Sequence, residues 1–102
     1  MISRVWRGWT SPENADAYEE LLRTKILPEL RRIEGHRGAL VLRRASEEGV
    51  EFVVVNHFDS LEAVREFAGP DYELAVTSPE AEALLTCGDE RALHYETAIG
   101  PD

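Results

Sequence analysis

The 102-residue chain contains a single cysteine, Cys87. One thiol closes no intrachain disulfide and builds no thiolate metal cluster, which suits a reducing compartment, and a cytoplasmic location is expected. Basic residues are scarce as well: 11 Lys and Arg stand against 20 Asp and Glu, a formal net charge of −9. Such a surface repels phosphate backbones and anionic lipid headgroups, so neither nucleic acid nor a membrane is expected as a partner. Long hydrophobic runs are missing. No stretch approaches the roughly 20 apolar residues of a membrane span, and the opening MISRVWRGWT lacks the apolar core of a secretory signal. Triad, phosphate-loop and dinucleotide fingerprints are absent. At this length the sequence reads as one domain, residues 1–102, with a core small enough for burial by a second subunit to matter.

What is present is a hydrophobic period that switches several times. Ile2 to Trp9 is short, β-branched and aromatic, as in a strand, and Thr10-Ser11-Pro12-Glu13 supplies a helix N-cap with proline at the first position. Tyr18, Leu22, Ile26, Leu30 and Ile33 then form an amphipathic stripe that ends at Gly35, with a kink expected at Pro28. His36 to Arg44 and Val50 to Phe58 read as strands joined by the turn Ser46-Glu47-Glu48-Gly49. Asp59-Ser60-Leu61-Glu62 caps a second helix that stops at Gly69-Pro70. Residues 71–87 are less regular, with a short helix over Pro79 to Leu85, and Arg91 to Ala98 closes the chain as a fourth strand.

The order βαββαβ predicts an α+β, ferredoxin-like fold: a four-stranded antiparallel sheet with both main helices on one face and the first and third strands in its middle. A four-residue turn sets Ala45 opposite Val50, hence Val41 opposite Val54 and Leu42 opposite Val53. One sheet face then carries Ala39, Val41, Phe52, Val54 and Phe58, and the other Leu40, Leu42, Val53 and Val55. Helices cover one apolar face; a second copy of the same sheet is the simplest cover for the other, which predicts a homodimer.

Several segments taken together, Ile2-x-Arg4-x-Trp6-x-Gly8, Tyr18, Phe58-Asp59-Ser60-Leu61-Glu62-Ala63, Phe67-Ala68-Gly69 and His94-Tyr95-Glu96, resemble the antibiotic biosynthesis monooxygenase superfamily, in particular its small bacterial members. The resemblance implies a dimeric α+β barrel with a pocket between sheet and helices. It implies either cofactor-independent oxidation of phenolic or anthrone-like aromatics or haem degradation, with an asparagine and a tryptophan recurring in the pocket. Phe58 stands where the family usually has that tryptophan, so the aromatic surface is kept and the indole N–H is not.

Asn56, His94 and Arg4 are the candidate catalytic residues. The Asn56 amide suits the holding of an enolate or superoxide-like anion, or else the satisfaction of backbone groups at the strand end. His94 reads as a general base, or as a solvated or dimer-contact residue beside Glu96. Arg4 and Trp6 share a strand face, an arrangement fit either to clamp an acidic aromatic or, for Arg4, to make an inter-subunit ion pair. Tyr18 and Tyr72 are ligand donors or core aromatics; with Trp6, Phe58 and Phe67 they complete the expected substrate-binding set. His36 and His57 come out on one hairpin face, diagonal across Gly38, but no third ligand joins them, and no metal is expected. A haem would need a histidine on the second helix, and Leu61 to Phe67 has none, so no cofactor is expected. The two readings are a cofactor-independent oxygenase acting on a small aromatic and a non-catalytic dimeric ligand-binding or interaction domain.

Overall fold

In the computed structural model, which describes residues 1–100, strand β1 (Ile2–Thr10) lies at the centre of an antiparallel sheet. On one side it pairs with β3 (Gly49–Phe58), which in turn pairs with β2 (His36–Ser46), giving the order β2-β3-β1. The position on the other side of β1 is shared. The short β4 (Leu85–Gly88) pairs with Gly8, Trp9 and Thr10, while β5 (Leu93–Glu96) pairs with Ile2 to Val5. The expected fourth strand is therefore β5, shorter than predicted, and β4 was not anticipated: its four residues carry no alternation long enough to register as a strand. The sheet remains four strands wide and ferredoxin-like, with the first and third strands in its middle.

The hairpin register is the one the turn predicts, Ala45 opposite Val50, Val41 opposite Val54 and Leu42 opposite Val53. Toward its far end the pairing shifts, because His36 lies opposite Phe58 and Gly38 opposite His57, leaving Arg37 as an extra residue. That bulge corrects the expected pairing of the two histidines. His36 turns to the helix-facing side, where its ring meets Phe58 edge-on at 5.2 Å, and His57 stays on the opposite side, bonded through Nδ1 to the Ser3 hydroxyl at 3.0 Å.

The first helix is not one regular cylinder. A 3₁₀ turn at Pro12–Asn14 precedes α1 (Ala15–Leu21), and Ser11 caps it through its position alone, with no side-chain bond. Leu22–Ile26 forms a π-helical turn, closed by Leu27 N–H donating to the Leu22 carbonyl, before α2 (Leu27–Leu30). Pro28 has no N–H for the Thr24 carbonyl, so the widened turn sits where a regular ladder would break. Helix α3 (Leu61–Ala68) is capped by Ser60, whose hydroxyl accepts from Ala63 N–H, and stops at Gly69. Helix α4 (Pro79–Leu84) is capped the same way by Ser78.

The helices bury one sheet face. Phe52 is fully enclosed, edge-on to Tyr18 at 4.9 Å, with Ala15, Leu22 and Val54 around them; Phe58 and Val64 form a second cluster under α3. Burial of such side chains contributes about 1.5–3 kcal/mol each. The opposite face is open: Leu40 and Leu42 are 51% and 53% exposed, and Leu93 and Tyr95 are similarly bare.

Two glycines in this hairpin have positive φ for different reasons. Gly38 (φ 124°) has open space where a Cβ would lie, whereas a Cβ on Gly49 (φ 118°) would overlap the Thr10 carbonyl. Gly38→Ala is expected to cost only backbone strain, about 1–3 kcal/mol. Gly49→Ala is expected to cost clearly more, because strain and overlap add. Urea denaturation of the two variants measures this, and equal losses would show that the Thr10 carbonyl yields without penalty.

Candidate functional site

The register sets Ala39, Asn56, Arg4 and His94 side by side across four strands, all on the helix-facing side. Arg4 is 4% exposed. Its Nη1 donates to the Tyr72 carbonyl and, at 3.0 Å, to His94 Nε2, and its Nη2 donates to the Leu74 carbonyl at 2.9 Å. The guanidinium thereby straps the segment after α3 onto β1, and the Phe67 ring lies 5.4 Å from its central carbon. Pointing toward the helices, Arg4 has two carbonyls and an imidazole as partners, not the carboxylate of an ion pair.

Asn56 is buried beside it. Its Oδ1 accepts a hydrogen bond from His36 Nε2 at 2.9 Å, so the amide carbonyl is satisfied and the NH₂ end is free to act as donor. Sequence reasoning missed His36 in this role. Gly38 inside a strand pattern was the available signal, since an interior strand glycine marks a bulge, and the bulge is what turns His36 over Asn56.

Trp6, the next inward-facing residue of β1, stands where the sheet edge passes from β5 to β4. Its Nε1 donates to the Asp89 carbonyl at 2.7 Å. A Cβ on either Gly8 or Gly88, which face each other across β1 and β4, would overlap the indole, so the ring occupies a slot that only glycines leave open. Trp6 separates two cavities, one of about 320 Å³ under the helices and one of about 350 Å³ beside β4.

The first cavity gathers the site. Arg4, Asn56, Trp6 and Val54 form its sheet wall; Tyr18, Leu22 and Ile26 form the helix wall, the last two from the π-turn. Phe67 and the segment Val76, Thr77 and Ser78 close it, and Glu29 is at its exposed rim. Burial pushes the Tyr18 phenol up to about 12, so it stays protonated. Of the residues singled out in the sequence, Arg4, Asn56, Trp6, Tyr18 and Phe67 line this cavity. Phe58, Tyr72 and His94 do not: Phe58 is packed under α3, Tyr72 offers its carbonyl to Arg4, and its ring meets His94 edge-on at 5.0 Å. Among the described residues no group of three His, Cys, Asp or Glu is arranged to hold a metal ion, and no helix is long and apolar enough to cross a membrane.

The sequence profile of the antibiotic biosynthesis monooxygenase family matches residues 1–76, from β1 to the segment that closes the cavity. The chain belongs to this family. No functionally curated protein matches it in sequence, but solved structures share its fold. The haem degrader MhuD of Mycobacterium tuberculosis, with two haems bound in its active site, superposes with a TM-score of 0.71 at 17% identity over all of both chains. SnoaB, a cofactor-independent oxygenase from Streptomyces nogalater, seen as an asparagine-to-alanine variant, gives 0.68 at 17% identity over 99% of this chain and 97% of its own. A Deinococcus radiodurans protein bearing the family's name gives 0.68 at 23% identity over 100% and 97%. The antibiotic biosynthesis monooxygenase match ends before β5, so His94 lies outside it.

His94 is tied to its neutral form. Its Nε2 accepts from Arg4, while burial first and the Arg4 cation second lower its pKa from the ordinary 6.5, against a smaller pull from Glu73. Below about pH 6.5 the unfolded chain takes up a proton on this residue that the folded chain refuses. Stability linked to His94 is therefore complete above that pH and declines as pH falls through it. His94→Gln keeps an acceptor for Arg4 but does not titrate, and is expected to flatten the loss of urea midpoint between about pH 7 and pH 5. An unchanged slope would assign the pH dependence to other groups.

Proposed function

We propose that the chain binds a small electron-rich aromatic, phenol-, quinol- or anthrone-like, in the cavity between sheet and helices, and oxidises it with dioxygen without a cofactor. The observation that carries this reading is the convergence of N–H donors from Arg4 and Asn56, neighbours across β1 and β3, on one otherwise largely apolar cavity. Donors so placed stabilise an oxygen anion that develops on the ligand. The substrate reacts as its enolate or phenolate: its carbon forms a bond to dioxygen, the peroxide loses water, and a carbonyl replaces a CH₂. One oxygen atom goes to the product and one to water, so the four electrons that dioxygen accepts come from the substrate. Asn56 holds the oxyanion through its NH₂, with the Arg4 charge beside it; Trp6, Tyr18 and Phe67 bound the ring; His94 positions Arg4.

Haem fits the cavity less well. Among the described residues neither histidine nor cysteine lines it, and Tyr18, with its raised pKa, is a poor phenolate ligand. One observation favours the second reading, a non-catalytic binding domain: the candidate base His94 has its Nε2 engaged by Arg4 and stands outside the cavity. Oxygen uptake with 1,8-dihydroxyanthrone as probe separates the two. Turnover above the uncatalysed rate is expected, falling by about 100-fold or more in Asn56→Leu, which lacks the oriented donor. Binding of the anthrone with no added oxygen uptake would leave the binding domain as the function.

The same reading makes the protein a homodimer through its open sheet face, where Leu40, Leu42, Leu93 and Tyr95 are each more than half exposed. Val53→Asp and Val55→Asp would each place a charge in that contact, and light scattering is expected to show monomers for both. Unchanged dimers in both would move the contact elsewhere, and a monomeric wild type would remove the dimer altogether.

A further inference from the structure

We infer that the cavity takes aromatic ligands bearing a carboxylate, and that the carboxylate docks on the two N–H groups of Arg4 that the protein leaves uncommitted. This rests on the aromatic-binding reading above and specifies the ligand's charge. A guanidinium has five N–H donors. Nη1 spends both of its own on the Tyr72 carbonyl and His94 Nε2, and Nη2 spends one on the Leu74 carbonyl. The Nε–H and the second Nη2–H have no partner among the described residues. They sit on adjacent nitrogens, the spacing that meets two carboxylate oxygens at once.

The distribution of charge points the same way. Arg7, Arg37, Arg43 and Arg91, all more exposed, each pair with a carboxylate. Arg4, the arginine that is buried, has only neutral partners among the described residues. A desolvated cation without a counter-charge is costly, and burial lowers its pKa accordingly. Among the described residues only Glu29 supplies a carboxylate to the cavity lining, and it is exposed at the rim. The counter-ion therefore has to come with the ligand. Two free donors and one positive charge match a single carboxylate better than a phosphate dianion, and the apolar lining, with Val54, Tyr18 and Phe67, suits the ring that carries it. With a net charge of −9 the whole molecule repels anions, so any preference for an acid must arise at this contact and not from long-range attraction.

The test is calorimetric titration of the full chain with matched probes, 2-naphthoate against 2-naphthamide, which differ in charge and hardly in shape. Naphthoate is expected to bind about ten-fold more tightly or better, the gain of charge-assisted bonds over neutral ones. Arg4→Gln is expected to erase the gap and Arg4→Lys, which keeps the charge without the fork, to keep part of it. Equal affinity of the wild type for the two probes overturns the inference whatever the variants do, and leaves the aromatic cavity standing. A gap that survives Arg4→Gln also overturns it. Binding of neither probe, nor of 1,8-dihydroxyanthrone, removes the aromatic reading and the carboxylate with it.

Discussion

One buried cation organises the functional half of this molecule. Arg4 projects from the central strand and is almost wholly buried, and a guanidinium so placed must spend its donors on the protein or a ligand. Two go to main-chain carbonyls at Tyr72 and Leu74, which draws the segment after α3 across the sheet; another goes to His94, which must then stay neutral to accept it. The segment so drawn supplies the near wall of the cavity through Val76, Thr77 and Ser78. It is pinned on its other edge by main-chain bonds, Ala75 N–H to the Glu90 carbonyl and Ala92 N–H to the Glu73 carbonyl. The cavity thus owes its closure to the same side chain that gives it charge.

The polar residues beside Arg4 obey the same economy of partners. Asn56 and His57 are adjacent at the end of an apolar strand, and alternation sends them to opposite faces. His57 bonds to Ser3 on the open face, while Asn56 is satisfied at its carbonyl end by His36 and keeps its NH₂ for the cavity. Trp6 is held by a different means, shape instead of charge: the Gly8 and Gly88 slot and the Asp89 carbonyl leave its indole a single seat. A rigid wall beside a half-satisfied donor set is what preorganised binding of an anion requires.

Element types and the hairpin register were legible because they depend on near neighbours. Ser46 to Gly49 closes a short turn, and once Ala45 meets Val50 every pair out to Ala39 and Asn56 follows by counting. The counting fails at Arg37, where one extra residue reverses His36, and it never reached β4, whose four residues are strand only because Gly8 to Thr10 offer an edge. The helix breaker Pro28 was visible; that its effect would be a π-turn widening the wall at Leu22 and Ile26 was not.

The sequence by itself determined the family, the βαββαβ order, the central strands and the two apolar sheet faces, since each follows from periodicity, turn chemistry and short motifs along a continuous stretch. Only the tertiary structure decided which polar groups meet. Arg4 finds Tyr72, Leu74 and His94 from 68 to 90 residues away along the chain, and a bulge selects His36 over His57 as the partner of Asn56. Hydrogen bonds act over about 3 Å, and no pattern in a linear sequence records which distant donors and acceptors folding will bring within that range.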